Sequence, residues 1–312
     1  MDMYQKRKKR QEMKNSENKK ETQNKMNINW YPGHMVKAQN EIKDSLKLID
    51  VVVEVLDARI PMSSSNPIID NLASNKERIV VLNKVDLADK ANLDEWKKYF
   101  ENKGYMCICS NTNNKEDIKK IIDAIITQGN KAYSKKGKKS DISINQIYRV
   151  LIVGIPNVGK STLINKIAKR QAANVSNKPG VTVRKQWIRV QNNIELLDTP
   201  GLLWPRLDDN DAGVKLALTG NIKQEILEVE SLACEGLKIL LASDKYKKML
   251  EEKYKMDSID GDIDVYELLE LIGRKRGCIV SGGNVDMEKA AKAFLDDLKS
   301  GKIGNISFEN VI

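Results

Sequence analysis

The chain has 312 residues, of which 41% are hydrophobic, and carries 53 Lys+Arg against 43 Asp+Glu for a net charge of +10. That length is expected to hold two domains, or one and a half plus a tail, and the positive surface suits a polyanion such as nucleic acid or an acidic membrane. The four cysteines form no C-x-x-C pair and there is one histidine, which excludes an ordinary zinc module and points to a reducing compartment. No apolar run approaches the length of a membrane span, and the N-terminus lacks the apolar stretch of a secretion signal. A cytoplasmic protein with no membrane association is therefore expected.

Residues 1–27 form a polar leader with nine Lys/Arg and four acids, which supplies half of the net charge. Low hydrophobicity with high charge reads as disorder, either as an electrostatic arm for RNA or as a solvated tail. Strands and helices then alternate. VVVEVLD (51–57), RIVVLNK (78–84) and YMCIC (105–109) are short apolar runs of the kind buried on both faces of a sheet. Helical patterns fall at about 64–75, 91–102 and 115–128. This alternation predicts an α/β domain with a mainly parallel sheet. Residues 129–146, with five lysines and two glycines in GNKAYSKKGKKSD, read as a linker. The strand YRVLIVG (148–154) follows, and WIRVQ (187–191) with IELLDTP (194–200) is predicted as an antiparallel pair. From about residue 206 the pattern is helical. The last helix, 286–301, has Asp286 to cap it, one apolar stripe (Met287, Ala290, Ala291, Phe294, Leu295, Leu298) and Gly301 to end it. Three units are expected: the leader 1–27, a nucleotide domain 28–205 and a small all-α C-terminal domain 206–312.

GIPNVGKS (154–161) fits G-x-x-x-x-G-K-[ST] between a strand and a helix. Asn157, Val158, Gly159, Lys160, Ser161 and Thr162 would cradle phosphates with backbone N–H groups and the positive end of the helix. Lys160 would reach the β- and γ-phosphates and Ser161 would ligate Mg²⁺. DTPG (198–201) ends a strand downstream, so that Asp198 would hold Mg²⁺ through water and the Gly201 N–H would face the γ-phosphate. Thr182 in KPGVT would complete the metal shell when triphosphate is bound. NKVD (83–86) ends an earlier strand. Asp86 can accept both N1–H and the exocyclic amine of guanine, Asn83 can serve its opposite edge, and the Lys84 stem can lie over the ring. Adenine would leave Asp86 unpaired, so this motif selects GTP and GDP. Asn111 and Thr112, after the third strand, fall where the last base-contacting loop is expected.

The guanine motif precedes the phosphate loop, the reverse of the usual order. That is the mark of a circularly permuted P-loop GTPase domain, with the lysine-rich 129–146 segment as the join. The permuted order, together with YPGHM (31–35), DARIP (57–61), NKVD, GIPNVGKS, DTPG and ELIGRKRGCIVSGGNVD (270–286), resembles the bacterial ribosome biogenesis GTPase A family. The resemblance runs from about Asn29 to the C-terminus and does not cover the basic leader. It implies GTP hydrolysis coupled to assembly of the large ribosomal subunit, stimulation by the ribosomal particle, and a helical C-terminal domain that contacts ribosomal RNA. Leu202 stands where Ras-like enzymes carry the glutamine that orients water. The resemblance implies that His34, the chain's single histidine, takes that role. It also implies a potassium ion held by Asn157. Expected partners are GTP, GDP and the precursor of the large subunit, and the chain is expected to be a monomer. A different class also fits, a GTP-gated RNA- or ribosome-binding switch in which hydrolysis is only a slow timer.

Overall fold

The computed structural model describes residues 43–135, 146–169, 186–190, 193–198, 210–222, 228–259 and 262–311. The leader, His34, the linker residues 136–145, Thr182, Gly201 and Leu202 lie outside this set, as does the side chain of Asp198.

Among the described residues six strands form one sheet: β1 (Val51–Asp57), β2 (Glu77–Asn83), β3 (Met106–Ser110), β4 (Tyr148–Val153), β5 (Gln186–Val190) and β6 (Ile194–Asp198). Their order across the sheet is β3-β2-β1-β4-β6-β5. All neighbours run parallel except the edge pair β5–β6, which is antiparallel as the sequence predicts. Every residue of β1 and β2 is buried, which explains the apolar runs at their centres. Glu54, a charge inside β1, is met by the Arg78 guanidinium from β2, and Arg78 also pairs with Asp70 and lies 4.5 Å over the Tyr105 ring.

Helices cover both faces. On one, α3 (Lys90–Asn102) packs Trp96 and Phe100 on Leu56, Val80 and Leu82, beside a patch where Ile69 meets Val52 and Leu151. On the other, Ile118, Ile121 and Ile125 of α4 (Lys115–Lys135) and Leu163, Ile164 and Ile167 of α5 (Lys160–Ala168) cover Val51, Val53, Ile79 and Ile152. Two elements depart from the sequence expectation by more than a residue or two. The helix expected at 64–75 is two short helices, α1 (Pro61–Ser64) and α2 (Pro67–Leu72). Pro67 forces Asn66 into an extended backbone (φ −111°, ψ 104°), and the Asn66 side chain then accepts from the Ile68 N–H to cap the second helix. The expected linker begins later, because α4 continues to Lys135. Lys131 and Lys135 pair with the buried Glu77 at 3.0 and 2.6 Å, and the Tyr133 hydroxyl donates to the Ile147 carbonyl. Counting lysines as linker composition missed that these two face a carboxylate.

Among the described residues after β6 the elements are helices, with one bridge between Ile279 and Val285: α6 (Asn210–Leu218), α7 (Val229–Leu241), α8 (Asp244–Tyr254), α9 (Val265–Lys275) and α10 (Met287–Lys299). Asp286 caps α10 by accepting from the Lys289 N–H, and Gly301 follows the helix at φ 71°, as expected. The apolar face of α10 joins the same continuous core as β1 and β4. Residues beyond α10 turn back to the sheet: the Phe308 N–H donates to the Arg59 carbonyl, and the Glu309 carboxylate accepts from the backbone of Met62 at 2.7 Å.

Candidate functional site

The carboxyl ends of three parallel strands come level with one another. Register pairs Asp57 of β1 with Asn83 of β2, and Asn83 with Ser110 of β3. The loops leaving these ends form the crevice in which open α/β sheets bind ligands. β4 delivers the phosphate loop to the same edge. Ile152 pairs with Asp198, so the backbone start of DTPG lies beside the strand that feeds GIPNVGKS.

The phosphate loop takes the backbone its sequence calls for. Asn157 sits in the left-handed region at φ 60° and Gly159 at φ 102°. A Cβ on Gly154 would lie 2.5 Å from the Val55 carbonyl oxygen, and one on Gly159 would lie 2.3 Å from Asn83 Nδ2. Only glycine admits these approaches. Gly159 is the N-cap of α5, no side chain caps that end, and no acid occupies the first turn. The N–H groups of this helix start, the helix dipole and the buried Lys160 make an anion site suited to phosphates. Ser161 and Thr162 follow in the first turn, half-buried. Their hydroxyls at an uncapped helix start fit the needs of a nucleotide with its Mg²⁺, a hard cation that takes oxygen ligands.

The guanine motif is joined to this loop directly. Asn83 Nδ2 donates to the Val158 carbonyl at 2.7 Å, while Asn83 Oδ1, buried, has no hydrogen-bond partner among the described residues. Lys84 holds φ 62°, a left-handed turn that carries the chain off β2, and its Nζ donates to Asp57 Oδ2 at 2.9 Å. Asp86 is exposed at the crevice edge. The Val85 N–H donates to the Ser110 carbonyl, tying this turn to the next loop. There the Asn111 N–H donates to Asp117 Oδ2 at 3.0 Å, Asn111 Oδ1 accepts from the Asn113 N–H, and Thr112 is buried. The structure thus brings Asn83, Lys84, Asp86, Asn111, Thr112 and the phosphate loop to one edge.

Sequence reasoning used DARIP only as a signature, yet its Asp57 and Arg59 are the centre of the site's support. Asp57 is fully buried and receives Arg59 Nε (2.9 Å) and Nη2 (2.7 Å), Lys84 Nζ and Asn221 Nδ2 (3.2 Å). Burial pushes its carboxyl up, but the charges and hydrogen bonds of Arg59 and Lys84 outweigh this and hold it well below the usual carboxylate range. Arg59 reaches onward to the Thr219 carbonyl at 3.0 Å, and Asn157 Nδ2 donates to the Gly220 carbonyl at 2.9 Å. A charged pair at the end of an apolar strand was the available signal, since such a pair must be satisfied by partners.

A crevice that ends three parallel strands, a phosphate loop on a helix start and a guanine motif bonded to that loop define a P-loop GTPase, here with the guanine strand upstream of the phosphate loop. A family model described as 50S ribosome-binding GTPase matches residues 149–265, beginning on β4 and leaving the guanine motif before it. The ribosome biogenesis GTPase A of Bacillus cereus is 45% identical over 91% of this chain and 94% of its own length. That of Thermotoga maritima is 36% identical over 90% and 94%. The solved GDP-bound YlqF superposes with a TM-score of 0.62 at 32% identity, covering 86% of this chain and 98% of that one. The chain belongs to the ribosome biogenesis GTPase A family, the circularly permuted GTPases that its motif order resembles.

Proposed function

We propose that this protein hydrolyses GTP to drive a step in assembly of the large ribosomal subunit, bound to and stimulated by the precursor particle. The observation that carries the reading is the Asn83–Val158 hydrogen bond, which ties the guanine motif to the phosphate loop. The relatives' shared name and the net charge of +10 support a ribosomal partner. The domain reading follows the expectation: leader 1–27, GTPase domain 28–205, and a helical region 206–312 that meets ribosomal RNA. The protein works as a cytoplasmic monomer. Among the described residues no helix is long and apolar enough to cross a membrane.

Residue roles follow the motifs. Asp86 and Asn83 read guanine, Lys84 covers it, and Asn111 and Thr112 close the base pocket. Residues Asn157 to Thr162 hold the phosphates, with Gly201 on the γ-phosphate. Ser161, Thr182 and, through water, Asp198 would hold Mg²⁺, and Asn157 would hold K⁺. When bound, these cations neutralise charge that develops on the phosphates during hydrolysis. By the family resemblance His34 orients the attacking water, a task that the Leu202 side chain, with no hydrogen-bonding group, cannot perform.

GTP turnover measured with and without large-subunit particles, in matched sodium and potassium, tests this. Wild type is expected to be stimulated by both particles and potassium. His34→Ala is expected to keep GTP affinity within about twofold and lose about 100-fold of stimulated turnover, within the usual span for a positioned acid or base. Absence of particle stimulation in the wild type would sink the assembly reading, and an equal loss of affinity and rate would make His34 structural.

A further inference from the structure

The turn that presents Asp86 is held from outside by the far C-terminus. The Ile306 N–H donates to the Leu87 carbonyl at 3.0 Å. The Asp89 N–H donates to Ser307 Oγ at 3.1 Å. The Tyr246 hydroxyl on α8 donates to Asp89 Oδ2 at 3.1 Å and accepts from the Ser307 N–H at 3.1 Å. Lys245 pairs with both Asp89 oxygens at 2.6 Å. Leu87 packs so closely on the turn after α10 that a Cβ on Gly301 would lie 2.7 Å from Leu87 Cδ2. At the start of the same turn, Lys84 is anchored on Asp57, which Asn221 and Arg59 hold. The Arg59 carbonyl receives the Phe308 N–H at 2.9 Å, and its guanidinium reaches the Lys299 carbonyl at 3.3 Å.

On the N-terminal side of Asp86, polar contacts tie this turn to the rest of the nucleotide site: Asn83 to Val158, Lys84 to Asp57 and Val85 to Ser110. Beyond it, Ala88 packs with Leu56, Val80 and Leu82 of the sheet, and the Leu87 carbonyl and the Asp89 N–H are met by the strap that follows α10. Reading guanine through one exposed carboxylate needs that carboxylate held to within a fraction of an ångström, and here part of the holding shell comes from outside the nucleotide sheet.

We propose that the C-terminal strap, residues 301–309, together with Tyr246, is the specificity-determining support of the guanine pocket. It fixes the 84–89 turn so that Asp86 meets the base. This rests on the reading of Asn83 and Asp86 as the guanine site. Ser307 and Tyr246 are positioning residues that act through Asp89, and the affinity for guanine nucleotides depends on how the helical region sits against the turn. A partner that draws the strap away from Leu87 and Asp89 releases nucleotide.

The test uses the full-length chain with fluorescent GDP and IDP, the latter lacking the exocyclic amine that Asp86 would accept. Ser307→Ala and Tyr246→Phe, singly and together, remove the two hydroxyls. The double variant is expected to lose about tenfold in GDP affinity, mainly through faster release, with IDP changed less than about threefold. The discrimination between the bases then shrinks, a change that general destabilisation does not produce. Ser300→Ala, whose hydroxyl bonds the Asp296 carbonyl at 2.6 Å and does not touch the turn, is expected to behave as wild type. If the double variant fails to fold, Ser307→Ala alone carries the comparison. Equal losses for GDP and IDP, or no loss for either, overturn the proposal. Asp86→Asn, tested beside them with xanthosine diphosphate, separates the two readings. If it does not turn the preference toward xanthine, the guanine assignment falls and the strap's role with it. If it does, while the strap variants keep the wild-type ratio of GDP to IDP, only the strap's role falls.

Discussion

Gly159 illustrates how a single missing atom joins two motifs that lie far apart in the chain. Its φ of 102° is in the region that side chains avoid, and the space a Cβ would fill belongs to Asn83 Nδ2 at 2.3 Å. Gly159→Ala therefore meets two costs: about 1 kcal/mol or more for the backbone and displacement of a buried amide from the Val158 carbonyl. Together they should lower GDP affinity at least tenfold, which is about 1.4 kcal/mol, in a fluorescence titration. Wild-type affinity in this variant would show that Asn83 can move without harm to the site. The glycine was visible as part of GIPNVGKS, but its partner was not, since a motif states a spacing within one segment and not what packs against it.

At the scale of elements, α4 carries the join of the permuted domain further than composition suggested. Gly129 lies within the helix because a Cβ there would come 2.3 Å from Tyr148 Cδ1, on the first residue of β4. The Tyr148 hydroxyl donates to Asn130 Oδ1 at 2.6 Å, and its ring stacks edge-on against Tyr133 at 6.0 Å. Gly129→Ala improves helix propensity by about 1 kcal/mol but forces this ring aside, an overpacking cost of about 1–3 kcal/mol. The net expectation is a lower melting temperature by a few degrees in a thermal scan. A rise would mean that the ring relocates freely. A glycine beside lysines looks the same in sequence whether it breaks a helix or makes room for a neighbour. For the same reason the expected helix at 64–75 did not reveal its division, although Pro67 already held the cause.

For the whole molecule, the buried cluster of Asp57, Arg59, Lys84 and Asn221 binds the nucleotide sheet to the helical region. In the unfolded chain Asp57 returns to about 3.9. Its folded carboxyl is held well below that, so the unfolded state takes up the proton first on acidification. The stabilisation is then complete above the unfolded value and lost as pH falls through it toward the folded value. Glu77, between Lys131 and Lys135, and Asp89, beside Lys245, have lowered carboxyls and add in the same direction, although burial alone would raise both. Urea midpoints should be nearly flat from pH 7 to about 5 and fall below about pH 4. Asp57→Asn should cost about 3–5 kcal/mol at pH 7 by leaving Arg59 buried without its carboxylate, and should flatten the acid fall. Parallel acid profiles for the two proteins would assign the fall to other groups.

By itself the sequence determined the parts of this protein that rest on local spacing. The parallel strands, the phosphate loop, the guanine tetrapeptide, the permuted order and the capped last helix follow from periodicity, turn chemistry and residue type within a few neighbours. Tertiary structure alone decided what joins them: the Asn83 amide on the phosphate loop, the Asp57–Arg59 pair reaching Thr219 and Lys299, and the strap beneath the guanine turn. These contacts link residues from tens to more than two hundred positions apart. They depend on which buried polar groups find each other once the sheet and the helices close, and a hydrogen bond between distant segments leaves no period in the chain.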